Sequence, residues 1–190
     1  MSGQSHKLVR LRRFMPTDAD TIVAWPTYPA EFAELDYALR KDGWLAELCN
    51  QPDTWIHVAE LSGELLAFTT LASTTQGEAE FRIALRADML GQGLGYILTE
   101  QTLAIGFHEL GLQLIHLIVR KNNPRAIELY RRMNFSHCGE RQIIANGIPT
   151  DFLLMELLAR DFIGPMRTRS QIVSQQEEHP NNKPTHTGTP

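Results

Sequence analysis

Apolar and polar positions along this chain change period repeatedly, and each change marks an element. Leu8 to Phe14 alternates apolar with basic residues, as a strand with one buried face does. Thr17, followed by Asp18 and Asp20, reads as a helix cap with acids in the first turn. From Trp25 to Cys49 the pattern is helical but interrupted at Pro26, Pro29 and Gly43. The aromatics of that stretch, Trp25, Tyr28, Phe32, Tyr37 and Trp44, either line a substrate cleft or pack these helices onto a sheet.

Thr54 to Glu60 and Glu64 to Leu71 are extended runs meeting at Ser62-Gly63, a hairpin, and a polar turn over Ser73 to Gly77 leads to a third antiparallel partner, Glu78 to Arg86. Helical spacing then runs from Gly95 to Leu110 and stops at Gly111. Leu112 to Val119 is nearly continuous in apolar character, a buried strand that follows a crossover helix and so lies parallel to its neighbour. Asn123 is suited to cap a helix that has Pro124 at its first position. Arg141 to Ala145 and Ile148 to Leu157 flank Asn146-Gly147, a strong hairpin signal. The sum is an α/β chain with a mixed sheet. The pattern is lost after Phe162, so residues 1–162 read as one domain and residues 163–190, rich in Gln, Asn, Thr and Pro, as a disordered tail.

Composition narrows the possible partners. A net charge of -4 and a pI near 6.0 give no global attraction to nucleic acid or to an anionic membrane. No apolar run approaches membrane-spanning length and the N-terminus lacks an apolar secretory core, so a cytoplasmic location is expected. Cys49 and Cys138 read as buried, inert thiols in a reducing compartment. The histidines lack metal-ligand spacing, and no metal is expected.

The chemistry concentrates between Glu80 and Phe135. Gly91, Gly93 and Gly95 follow an extended run and open a helix, where backbone NH groups converge with no Cβ in the way, which is an anion cradle. A dinucleotide fingerprint begun at Gly91 requires glycine where Tyr96 stands, and one begun at Gly93 meets Leu98. A nucleotide triphosphate loop needs Gly-Lys-Ser/Thr, which the chain lacks. A diphosphate held by backbone remains.

These residues resemble the GCN5-related N-acetyltransferases (GNAT), whose coenzyme loop reads Arg/Gln-x-x-Gly-x-Gly/Ala. Here it becomes Leu90-Gly91-Gln92-Gly93-Leu94-Gly95, with Leu90 in place of a polar residue. Val119, Asn123, Ala126, Leu129, Tyr130 and Phe135 fall on the family's second motif, with Asn134 where it has glycine. Asn is the next best residue for a left-handed helix end. The resemblance extends from Leu8 to about Leu157. It implies a GNAT fold, a mostly antiparallel sheet of about seven strands with helices on both faces, splayed between strands 4 and 5.

It further implies acetyl-CoA as co-substrate and an amine as acceptor, in a monomer or homodimer. The coenzyme would meet residues 90–95, the backbone of Ile83 and Leu85, and Asn123, Arg125 and Ala126. One or two of Arg120, Lys121, Arg125, Arg131 and Arg132 would meet its phosphates. By the same resemblance Tyr130 protonates the leaving sulfur. Glu80, on the strand beside the substrate, is the base, with Glu78, His116 or a water as substitutes, and a backbone NH near Ile83 to Leu85 donates to the oxyanion. Ile118 stands where some protein N-terminal acetyltransferases of the family carry an acid, which favours a small amine or amino acid over a protein acceptor. The rival reading is a non-catalytic acyl-CoA-binding regulator.

Overall fold

A computed structural model describes residues 9–40, 43–145 and 147–164. Nearly all of the expected tail, and Asn146 of the hairpin turn, lie outside the described residues. Seven strands form one sheet in the order β1-β2-β3-β4-β5-β7-β6. They are β1 Arg10–Arg13, β2 Thr54–Leu61, β3 Glu64–Thr75, β4 Glu78–Leu85, β5 Leu114–Arg120, β6 Ser136–Ala145 and β7 Ile148–Leu158. Neighbours pair antiparallel except β4 and β5, which are parallel. That parallel ladder covers only Glu78↔Leu114, Ala79↔Ile115 and Glu80↔His116, after which the two strands separate. The expected splay is there, and it opens just past Glu80.

Alternation along the strands sends side chains to two faces. On one face Ala79, Phe81, Ile115, Leu117, Met155 and Leu157 pack beneath two helices, α3 (Leu94–Ala104) and α4 (Pro124–Arg132). On the other, Val58, Phe68 and Ala84 meet Ile22, Trp25, Tyr28 and Leu45, from α1 (Pro16–Val23), the loop after it and α2 (Trp44–Cys49). Most of the aromatics between Trp25 and Trp44 therefore pack rather than line a cleft. Trp44 packs at 5.0 Å, tilted, against Phe68 and lies 5.6 Å beneath the Arg82 guanidinium.

Several local expectations are corrected by tertiary contacts. Thr17 does not cap α1: the helix begins at Pro16, and Asp18 inside its first turn accepts the Met15 NH at 2.7 Å. The Arg12 guanidinium, 2.8 Å away, fixes that carboxylate and so sets where the helix starts. The interrupted stretch before α2 is a 3-10 helix, Ala30–Leu39, rather than an α-helix. The helix after the glycine loop loosens into a π turn at Ile105–Glu109, where Gly106 lies so close to β5 that a Cβ would come within 2.6 Å of Ile115. Strand β6 begins at Ser136, earlier than its hairpin signal suggested.

Cys49 and Cys138 are exposed, not buried. Cys49 ends the short helix α2, and Cys138 sits at a register break in β6 between His137 and Gly139. What cover the sulfurs have still raises both thiols above their ordinary range, that of Cys138 with help from the nearby Glu156 carboxylate.

Candidate active site

The glycine loop joins β4 to α3, and its glycines do different work. Gly91 and Gly93 hold φ of 78° and 80°, the left-handed region that a side chain disfavours. No side chain caps α3 at Gly93; the Gly93 carbonyl accepts the Tyr96 NH at 3.2 Å and the Ile97 NH at 3.5 Å, which leaves the NH groups of Leu94 and Gly95 ahead of the helix without an acceptor from its cap residue. Gly95 is helical, and a Cβ there would sit at ordinary contact, 3.4 Å from Leu129 and 3.9 Å from Leu85. Leu90 packs toward the α1/α2 side of the core, which explains a leucine at a usually polar place. Gln92 donates to the Asp88 carbonyl at 2.7 Å and steadies the loop from outside.

The Arg125 guanidinium lies over Gly91, within 3.1 Å of where a Cβ would be, and supplies positive charge beside the first NH groups of the helix. Asn123 accepts the Ala126 NH at 3.1 Å, so these two spend their polar groups on each other and build the start of α4. Asn134, left-handed at φ 65°, ends the turn after that helix as glycine would. This combination of left-handed glycines, uncapped helix start and arginine suits a diphosphate.

Strand β4 links the cradle to the splay. Arg86 donates its NH to Leu66 on β3 at 2.8 Å, so alternate residues before it direct NH and carbonyl the other way. Ile83 and Leu85 thus present backbone to the edge left open where β5 turns away. The Tyr28 hydroxyl donates to the Leu85 carbonyl, and burial, with Asp36 nearby, pushes that phenol up to about 12. No local pattern around Tyr28 marks that bond, because its partner lies on β4, far along the chain.

Tyr130 packs on the α3/α4 face, against the β4 residue that follows Glu80. Its ring is 8% exposed and stands edge-on to Phe81 at 6.4 Å and to Phe135 at 5.6 Å. Burial raises its hydroxyl above the usual phenol range, and among the described residues it makes no hydrogen bond. Glu80, one residue before Phe81, points to the opposite face. Its carboxylate accepts from Arg82 Nε at 2.8 Å, a partner that the Glu-x-Arg alternation on one strand face could have revealed. His116 is its register neighbour on β5, with Nε2 3.1 Å from the Thr74 hydroxyl. Glu78 and Ile118 share that face. The expected base and acid therefore lie on opposite sides of the sheet, the base at the last rung of the parallel ladder and the acid against Phe81, one residue on. No group of three metal-ligating residues occurs among the described residues.

Comparisons with known proteins agree with the fold. The acetyltransferase (GNAT) family matches residues 21–135. A spermidine N(1)-acetyltransferase of Escherichia coli is 29% identical over 136 residues, 66% of this chain and 73% of that protein. Mutant forms of the spermidine/spermine N-acetyltransferase of Vibrio cholerae superpose with a TM-score of 0.67 at 22% identity, covering 82% of this chain and 98% of that one. The same enzyme determined with manganese ions gives a TM-score of 0.63 at 21% identity, covering 89% and 97%.

Proposed function

Since this chain belongs to the GNAT family of N-acetyltransferases, we propose that it transfers acetyl from acetyl-CoA to a small primary amine by direct attack within a ternary complex. The observation that carries this reading is the β4/β5 pair that separates just past Glu80, with Tyr130 edge-on to the next residue, Phe81, and the left-handed Gly91 and Gly93 leading into α3. The cradle would hold the coenzyme through the NH groups following Gly91 and Gly93, with Arg125 on its phosphates. The open edge at Ile83 and Leu85 would bind the arm leading to the thioester, and an NH there would donate to the developing oxyanion.

Glu80 takes the proton that the amine nitrogen gives up as its lone pair forms the new C–N bond. As the C–S bond breaks, the Tyr130 phenol gives its proton to the sulfur, so the products are an acetamide and a free thiol. A small acceptor suits the absence of an acid at Ile118, and the named activities of the relatives are on spermidine. A cytoplasmic location belongs to the same reading, and no described helix is long and apolar enough to cross a membrane.

One observation favours the rival, a regulator that binds acyl-CoA without turnover: Glu80 is engaged by Arg82, and an incoming amine must displace that guanidinium. Thiol release from acetyl-CoA across a panel of amines, amino acids and peptides separates the two. Turnover on small amines, lost in Glu80→Gln and Tyr130→Phe, is the expected result. Tight coenzyme binding with no turnover on any acceptor would leave the regulator.

A further inference from the structure

Glu80 and Arg82 stand two residues apart on one face of β4 and offer both signs of charge at one point. Arg82 Nε donates to the Glu80 carboxylate at 2.8 Å. That bond uses one edge of the guanidinium, and its two terminal nitrogens make no hydrogen bond or ion pair among the described residues. The Arg82 side chain is 31% exposed, so a ligand can reach them. The Trp44 ring, 5.6 Å from the guanidinium carbon, supports the group from α2. The parallel ladder with β5 ends at Glu80, which makes Arg82 the first residue of this face beyond the last rung.

A simple amine fits this pair poorly. Its ammonium must take Glu80 from Arg82, and a half-buried guanidinium is then left beside a second cation with no counterion of its own. The register neighbour of Arg82 on β3 is Thr70, and the next residue of its own face along β4 is Ala84, neither of which carries a negative charge. A carboxylate on the acceptor removes that cost. An α-amino acid holds its ammonium nitrogen about 2.5 Å from its carboxyl carbon, which suits two charged groups already in contact at 2.8 Å. The ammonium can face Glu80 while the carboxylate takes the unspent fork of Arg82 through two parallel hydrogen bonds, so that one ion pair is exchanged for two. The same face of the sheet carries Ile118 and Leu154, paired across β5 and β7 and both half-buried, an apolar surface suited to an uncharged side chain.

We infer that Arg82 is a specificity-determining residue that seats a carboxylate of the acceptor, so that the acceptor class is an α-amino acid with an apolar side chain rather than a polyamine or a simple amine. This rests on the acetyltransferase reading above. Arg82 stays on the carboxylate throughout and acts on binding, not on the transfer step.

The test follows thiol release from acetyl-CoA with L-leucine, L-methionine and L-phenylalanine, each beside its own α-carboxamide, and with spermidine as a cationic comparator. Wild-type protein should prefer the acids to their amides and to spermidine. Arg82→Gln should reduce the acid-to-amide ratio of kcat/KM at least tenfold through the KM of the acid, with Arg82→Lys retaining part of the preference. The ratio is the readout because Arg82→Gln frees Glu80 equally for both members of a pair. An unaltered ratio, equal wild-type use of acid and amide, or turnover of spermidine in preference to the amino acids overturns the inference and leaves the acetyltransferase reading standing. If wild-type protein acetylates no acceptor, that reading fails separately. The seat is then read by calorimetric titration of L-leucine into CoA-loaded protein: weaker binding in Arg82→Gln supports it, and equal binding or none overturns it.

Discussion

Tyr130 and Asp18 are buried polar residues with opposite logic. The Tyr130 hydroxyl makes no hydrogen bond among the described residues, so removing it takes little from the fold. Tyr130→Phe should leave the unfolding midpoint nearly unchanged and lower kcat at least tenfold, about 1.4 kcal/mol of barrier. Because burial raises this phenol, any alkaline loss of activity below about pH 10 should belong to another group. Asp18 is 5% exposed, and the Arg12 guanidinium lowers its carboxyl below the ordinary range. A group whose folded value is depressed stabilises above its unfolded value near 3.9, and that stabilisation disappears as pH falls through the folded value. Asp18→Asn should therefore cost about 2 kcal/mol at neutral pH in urea unfolding. The gap to wild type should close in strong acid; a pH-independent gap would deny the ion pair this role.

At the scale of elements, the β4-loop-α3 unit forms the site because its backbone geometry is unusual at two points and ordinary at a third. Gly93 is left-handed with open space around it, so Gly93→Ala should cost about 1–2 kcal/mol by backbone strain alone. Gly95 is helical with its nearest neighbours at ordinary contact, so Gly95→Ala should be close to neutral in stability. Denaturant titration of the two variants measures the difference, and equal losses would mean that packing rather than conformation governs the loop. The loop after α1 is tied to the open edge of β4 by the Tyr28 hydroxyl on the Leu85 carbonyl. Tyr28→Phe should cost about 1–2 kcal/mol, because it leaves a carbonyl without its donor.

At the scale of the whole molecule, coenzyme binding should stabilise the native chain. At about a hundred times its dissociation constant a ligand contributes roughly 2.7 kcal/mol, or about 5 to 11 degrees in the unfolding midpoint of a chain this size. Acetyl-CoA and CoA should produce that rise and NADH should not, because the spacing of Gly91 and Gly93 does not fit a dinucleotide fingerprint. The sequence by itself determined what depends on near neighbours. Period-two and helical patterns located the elements of the sheet and its helices, Asn123-Pro124 began α4, and Asn134 ended its final turn. The glycine loop was legible for the same reason, since a conformation that excludes a Cβ is written in the residue type. Only the tertiary structure decided what each side chain faces. Asp18 displaced Thr17 at the start of α1 because Arg12 comes from another element, and Cys138 turned outward where β6 and β7 shift register. The alignment of Glu80, His116 and Glu156 depends on pairing between strands far apart in the chain, and no local pattern specifies that register.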